Sequence, residues 1–380
     1  MINLRKQSVI IVCGVSAFIL TAVFLVIAGS CADKSDSLTA FMSQDCTQCH
    51  GAETKYPVAG AQAGYVLSGH ATLGNSFYSN GAGCQRCHTH EGFVQYVAKG
   101  AVDPKAFIDT PSQPGCFTCH DPHRTGDFSL RVTAAVTLDN GEKLDAGKGN
   151  LCASCHLVRG DAAQLVTETA AAKVSPNFGP HHGPQADMIA GTNAFEYEGK
   201  SYANSAHSTV VKDTCITCHM TLPEGRYGLS PAIGSHSFNI AGEVHEQEKL
   251  NTAGCLACHK DMAQAKEAVV FNKSAAADYD NDGKVEPLQL EVEGLLQLLV
   301  SASGNGLLQR LSPPLFKPDG SWNAVKEGTR SVKEMAALYN YKFVKEDRSL
   351  GVHNAKYAVQ ILYDTIESLK PGFDTSKRPN

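Results

Sequence analysis

Cys152-Ala153-Ser154-Cys155-His156 is one of six occurrences of the pentapeptide Cys-x-x-Cys-His in this chain; the others start at Cys46, Cys84, Cys116, Cys215 and Cys255. Two cysteines so spaced on a tight turn reach the two vinyl groups of one porphyrin, form thioethers, and leave the next histidine beneath the iron. Zinc would instead collect ligands in sets of four, with no preference for histidine in the fifth place. Histidine follows all six pairs, so the spacing reads as attachment of six covalent haem c groups. The attachment residues are then Cys46, Cys49, Cys84, Cys87, Cys116, Cys119, Cys152, Cys155, Cys215, Cys218, Cys255 and Cys258. His50, His88, His120, His156, His219 and His259 each fill one axial face of an iron.

Of fourteen cysteines, twelve are in these motifs, which leaves only Cys13 and Cys31. Arg5 and Lys6 precede an uncharged stretch from Val9 to Ala28, and Gly29-Ser30-Cys31 follows. This is an export segment, read as residues 1–30. Small residues before Cys31 are similar to a lipobox, which would make Cys31 the lipidated first residue; the same run is also long enough for a retained membrane anchor. Ala32 to Ala40 is a polar tether. The expected location is extracytoplasmic, in the periplasm or at the cell surface, tethered to a membrane. Removing residues 1–30, with two cations and no anion, takes the net charge from −5 to −7. Such a balance excludes a nucleic-acid partner, which needs a basic surface, and suits redox partners such as other cytochromes or quinol-linked donors.

Starting positions of the motifs fall 38, 32, 36, 63 and 40 residues apart, so no solenoid period exists. Between Cys46 and His259 no sustained helical or strand period is visible, and the haems themselves are expected to form the core of a domain over residues 41–265. The longest interval holds an insert, roughly 160–213, in which Pro176 to Pro184 reads as a loop and Ala194-Phe-Glu-Tyr197 as a hairpin. Residues 266–380 change character. Leu288 to Val300 carries a broad apolar helical stripe, Ser331-Val-Lys-Glu334 is a capping box opening a helix to about Val344, and a final helix is expected from about Asn354 to Leu369. The fold class is therefore mainly α with much irregular structure, organised on a haem chain, with a helical C-terminal segment packing on it.

Six irons leave six distal faces, and nine histidines lie outside the motifs. His70 and His207 sit in similar Ser-Gly-His and Ser-Ala-His settings, where small neighbours let a porphyrin approach. His123 follows Pro122, which aims it away from its own haem. His236 follows the fifth motif, and His353 begins the final helix. One of His181 and His182 supplies the sixth ligand, with His182 preferred; His90 and His245 are surplus. Met220 abuts His219 and is assigned to packing. Asp278, Asp280 and Asp282, with Gly283, match the start of an EF-hand loop and form a calcium candidate, although Gln289 stands where the bidentate glutamate belongs.

The fifth motif with Met220 and His236, the His181-His-Gly-Pro-Gln-Ala-Asp stretch and the terminal Gly351-Val-His353-Asn resemble bacterial multihaem cytochromes c. These are relatives of the pentahaem ammonia-forming nitrite reductases and octahaem hydroxylamine oxidoreductases. The resemblance implies stacked haems that conduct electrons. In that group a reductase adds one open haem, and nitrite reductase replaces a motif histidine with lysine. No CxxCK occurs here, so the expected role is an electron carrier without a catalytic residue, with a reductase of small nitrogen or sulfur oxyanions, or a subunit of a self-assembling or outer-membrane conduit, as alternatives.

Overall fold

The computed structural model describes residues 58–72, 81, 83–103, 105, 108–225 and 230–380. The export segment, Cys31, the tether and the first motif (Cys46, Cys49, His50) lie outside the described residues. The chain divides into two compact units, one holding residues up to Val58 and His120–Ser129, the other Ala59–Cys119 and Leu130–Asn380. In the first, Pro122 opens the short helix Pro122–Thr125, where its missing N–H costs nothing, and Gly126 ends it in the left-handed conformation.

Five helices of eight or more residues occur among the described residues: α1 Val58–Tyr65, α2 His90–Lys99, α3 Leu288–Leu299, α4 Val332–Asp347 and α5 Ala355–Leu369. Helix α2 was not visible as a sequence period, yet its ends are well marked: Thr89 caps the start by accepting from Gly92 N, and left-handed Gly100 closes the end. The three C-terminal helices follow their sequence signals. Ser331 and Glu334 form both arms of the capping box, and α4 runs three residues past Val344 to Asp347. Asn354 caps α5 through Tyr357 N.

Helices α3, α4 and α5 hold the principal core. Val292, Leu295, Leu299, Met335, Leu338, Phe343, Ile361 and Leu362 are completely buried, each worth about 1.5–3 kcal/mol on removal from water. Helices α4 and α5 bury residues all round, so something must cover their outer faces. The cover is the insert. Its backbone does not form the expected hairpin at Ala194–Tyr197, because helix side chains take the hydrogen bonds a partner strand would need. Asn340 accepts from Phe195 N at 2.8 Å and donates to Phe195 O at 2.9 Å, and Gln360 accepts from Ala203 N at 2.8 Å. A strand that the sequence did not announce, Thr169–Ala170, pairs antiparallel with Thr329–Arg330 and ties the insert to the start of α4. Residues on both sides of position 265 thus belong to one compact unit. A smaller side-chain core of Val136, Leu138, Leu144, Leu157 and Ile189 surrounds the fourth motif. The only tight hairpin of four-residue strands described, Ala241–Val244 with Gln247–Leu250, turns at His245 and Glu246, both at positive φ.

Candidate haem-binding sites

Each described motif sits on a short helix or turn that fixes its histidine. Gln85–His88, Cys116–Cys119 and Thr214–His219 are helical, and His156 follows the helix Asn150–Ala153. None of the ten described cysteines is in a disulfide. The side chain of Cys87 neighbours that of Cys155, and the side chain of Cys152 neighbours that of Cys215. The sixth motif rests on the fifth through Gly254: a Cβ there would lie 2.4 Å from Thr217 O and 3.0 Å from Cys218 Cα, so only glycine permits the approach. Attachment points of the second, fourth, fifth and sixth motifs therefore adjoin in that order.

Four motif histidines each face a histidine from elsewhere. Ring centres are 6.0 Å apart for His70 and His156, 6.1 Å for His88 and His181, 6.0 Å for His207 and His259, and 6.3 Å for His219 and His353. A metal–imidazole nitrogen bond is about 2 Å and the ring centre lies about 1.2 Å behind that nitrogen, so two imidazoles on opposite faces of one ion put their centres about 6.4 Å apart. The four spacings fit one iron between each pair. Desolvation and neighbouring imidazoles lower His70 and His181 to about 4, so both rings are neutral donors at neutral pH.

None of the four distal candidates serves the motif nearest in sequence. His70 passes over the motif at Cys84 to reach His156, and His207 passes over Cys215 to reach His259. The sequence preferred His182 as ligand, whereas the ring facing a motif histidine is that of His181. His181, at φ +72°, turns its ring to His88, whereas His182 places Nδ1 3.1 Å from Glu346 Oε2 with 65% of its side chain exposed. The two adjacent rings lie 5.1 Å apart, yet the ring of His181 is the one that faces His88, which residue type could not reveal. His123 lies in the helix Pro122–Thr125, and His236 packs its ring 5.8 Å from Phe238; the surplus His90 places Nδ1 3.0 Å from Thr118 Oγ1.

Ring orientation comes from the other imidazole nitrogen. Nδ1 of His120 donates to Phe128 O at 2.7 Å, of His219 to Phe238 O at 2.8 Å, of His207 to Val352 O at 2.7 Å, and of His353 to Asp347 Oδ1 at 2.6 Å. His156 Nδ1 lies 3.2 Å from Gln185 Oε1, and the Gln185 amide donates to Glu346 O and Asp347 O. The segment from Glu346, at the end of α4, to His353, just before α5, therefore braces histidines of three pairs. Sequence reasoning found His353 there but missed Asp347, Val352 and Gln185, whose roles lie in tertiary contacts. Burial alone would lower His353, but the charge and hydrogen bond of Asp347 outweigh it and raise its pKa.

Polar atoms also await acceptors near the pairs. Arg86 Nε, beside the second motif, and the Ser205 and Ser208 hydroxyls, beside His207, are buried without a hydrogen-bond partner among the described residues. Porphyrin carboxylates are acceptors of the kind these donors need. At the acidic loop, Asp278, Asp280 and Asp282 bring oxygens within 4.8 Å of one another. Lys377 Nζ already lies 2.7 Å from Asp278 Oδ2, and Gln289 turns away to accept from Phe271 N. Glu291 closes the loop by accepting from Tyr279 N and Glu286 N. No described helix is long and apolar enough to cross a membrane.

No family model matches the chain. It is 23% identical over 375 residues to the C-type polyheme cytochrome OmcC of Geobacter sulfurreducens, covering 86% of this chain and 43% of that protein. It is 22% identical to OmcB of the same species over 377 residues, covering 86% of this chain and 44% of the relative. The chain thus spans less than half the length of these curated relatives. Among solved structures, the outer cell wall cytochrome OcwA aligns with a TM-score of 0.43 and 20% identity, over 82% of this chain and 50% of that one. By motif and by likeness, the chain is similar to multihaem c-type cytochromes.

Proposed function

We propose that this chain is an exported hexahaem cytochrome c that passes electrons one at a time along a row of bis-histidine haems in extracytoplasmic respiration. The observation carrying this reading is the set of four imidazole pairs at 6.0–6.3 Å, each of which would hold one iron from both sides and leave those four no face for substrate. Iron held between two imidazoles exchanges one electron with little change in coordination. The chain does the rest. The adjoining second, fourth, fifth and sixth motifs set the attachment points in one row, and the Nδ1 acceptors hold each ring in register. His70, His181, His207 and His353 are the distal ligands of His156, His88, His259 and His219; His123 and His236 stay as the expected ligands for the two remaining irons. Partners are other redox proteins, and Cys31 supplies the membrane tether. The names of the Geobacter relatives support a polyhaem electron-transfer protein. Their greater length favours, as second reading, a module within a longer cytochrome conduit.

A pyridine haemochrome assay on the purified protein should return six haems per chain, none extracted by acid acetone. A count of four would remove the hexahaem reading. Among ligand variants, His181→Ala should turn about one iron in six high-spin in electron paramagnetic resonance, while His182→Ala leaves every iron low-spin; the reverse result would overturn the His88 pairing.

A further inference from the structure

The paired histidines differ in what holds their second nitrogen. His156, His207 and His219 donate to the neutral oxygens of Gln185, Val352 and Phe238. His353 donates to a carboxylate, Asp347 Oδ1, at 2.6 Å, and the Asp347 side chain is fully buried. The carboxylate is locked in place. Its other oxygen accepts from the Ser349 hydroxyl and from Ser349 N, while the Ser349 hydroxyl accepts from His353 N, closing a ring through Asp347, Ser349 and His353. A buried carboxylate on the far nitrogen makes an imidazole a more basic ligand, and so stabilises the ferric over the ferrous state of the metal it binds.

We infer that Asp347 is a positioning residue that makes the iron between His219 and His353 the lowest-potential centre of the row. This rests on the bis-histidine reading above. The motif of His219 adjoins both the fourth motif, through Cys152 and Cys215, and the sixth, through Gly254. The low centre therefore stands inside the row, where an electron must climb onto it to pass, and Asp347 sets the height of that step.

The test is a spectroelectrochemical titration of the holoprotein and its Asp347→Asn variant, with His353→Ala to identify the wave. Asparagine keeps the shape and an acceptor oxygen but not the charge. The lowest-potential wave should rise by at least tenfold in its reduction constant, 59 mV for one electron, with all iron still low-spin and the other waves unmoved. If no wave moves, or a wave other than the lowest does, while His353→Ala still yields one high-spin iron, the tuning role falls and the pairing stands. If His353→Ala leaves every iron low-spin, the pairing itself falls. Asp347→Glu, which restores the charge on a longer arm, should bring the wave back toward its original position; failure to do so with folding intact would also count against the role of the charge.

Discussion

Replacing His353 with alanine is expected to convert one iron in six from low to high spin without changing the haem count. The ring of His353 stands 6.3 Å from that of His219, at the spacing of two imidazoles sharing an iron. Covalent attachment depends on Cys215 and Cys218, which lie on the helix Thr214–His219 and are untouched by the change. The His207 ring is committed to His259 and to Val352 O, and Met220 follows His219 directly on the same side. Water or an added small ligand then takes the open face, so the variant should bind cyanide or nitric oxide where the parent does not. Electron paramagnetic resonance gives the spin state and pyridine haemochrome the count. An unchanged low-spin spectrum would show that His353 is not an axial ligand.

Asn354→Ala should destabilise the protein by about 3 kcal/mol, from a lost helix cap and two buried polar groups left unpaired. Asn354 is fully buried. Its amide donates to Met188 O at 3.0 Å and to Asn204 Oδ1 at 2.7 Å, while its oxygen accepts from Ser205 N at 2.9 Å and from Tyr357 N at 3.4 Å. One side chain thus joins the end of Gln185–Ala190, the segment leading to His207, and the start of α5 beside His353. Asn354→Asp keeps the accepting oxygen but sets a buried carboxylate oxygen against Met188 O and Asn204 Oδ1, so it should cost at least as much as alanine. Denaturant unfolding of the holoprotein, followed by far-ultraviolet circular dichroism, measures both. A cost for aspartate well below that of alanine would instead assign the effect to the accepting oxygen, which serves Ser205 N and Tyr357 N.

These two positions are neighbours, and the reason is structural. The end of α4 and the link to α5 carry no haem motif, yet they support histidines of three pairs through Gln185, Val352 and Asp347. A C-terminal segment that packs on haem attachment sites in this way acts as a brace. Changes in its core should therefore be felt as broadened potentials as well as lowered stability.

What the sequence determined by itself is what lies within a few residues of a signal. Cys-x-x-Cys-His needs no tertiary contact to be recognised, because both thioethers and the proximal ligand come from five consecutive residues. The capping box at Ser331 and the stripe of α3 are likewise local, and those helices stand where they were expected. The distal pairs join residues 52 to 134 positions apart, and no local rule links His70 to His156 in preference to the motif that follows it. Histidine content led to the expectation of such ligands; only the packing of the insert and the C-terminal helices sets which rings face one another. Of the neighbours His181 and His182, the one whose ring faces His88 is His181, at φ +72°, a placement made by the surrounding chain. The insert likewise forms no hairpin, because Asn340 and Gln360 on the helices supply its hydrogen bonds, and a polar side chain 145 residues away leaves no mark on local sequence.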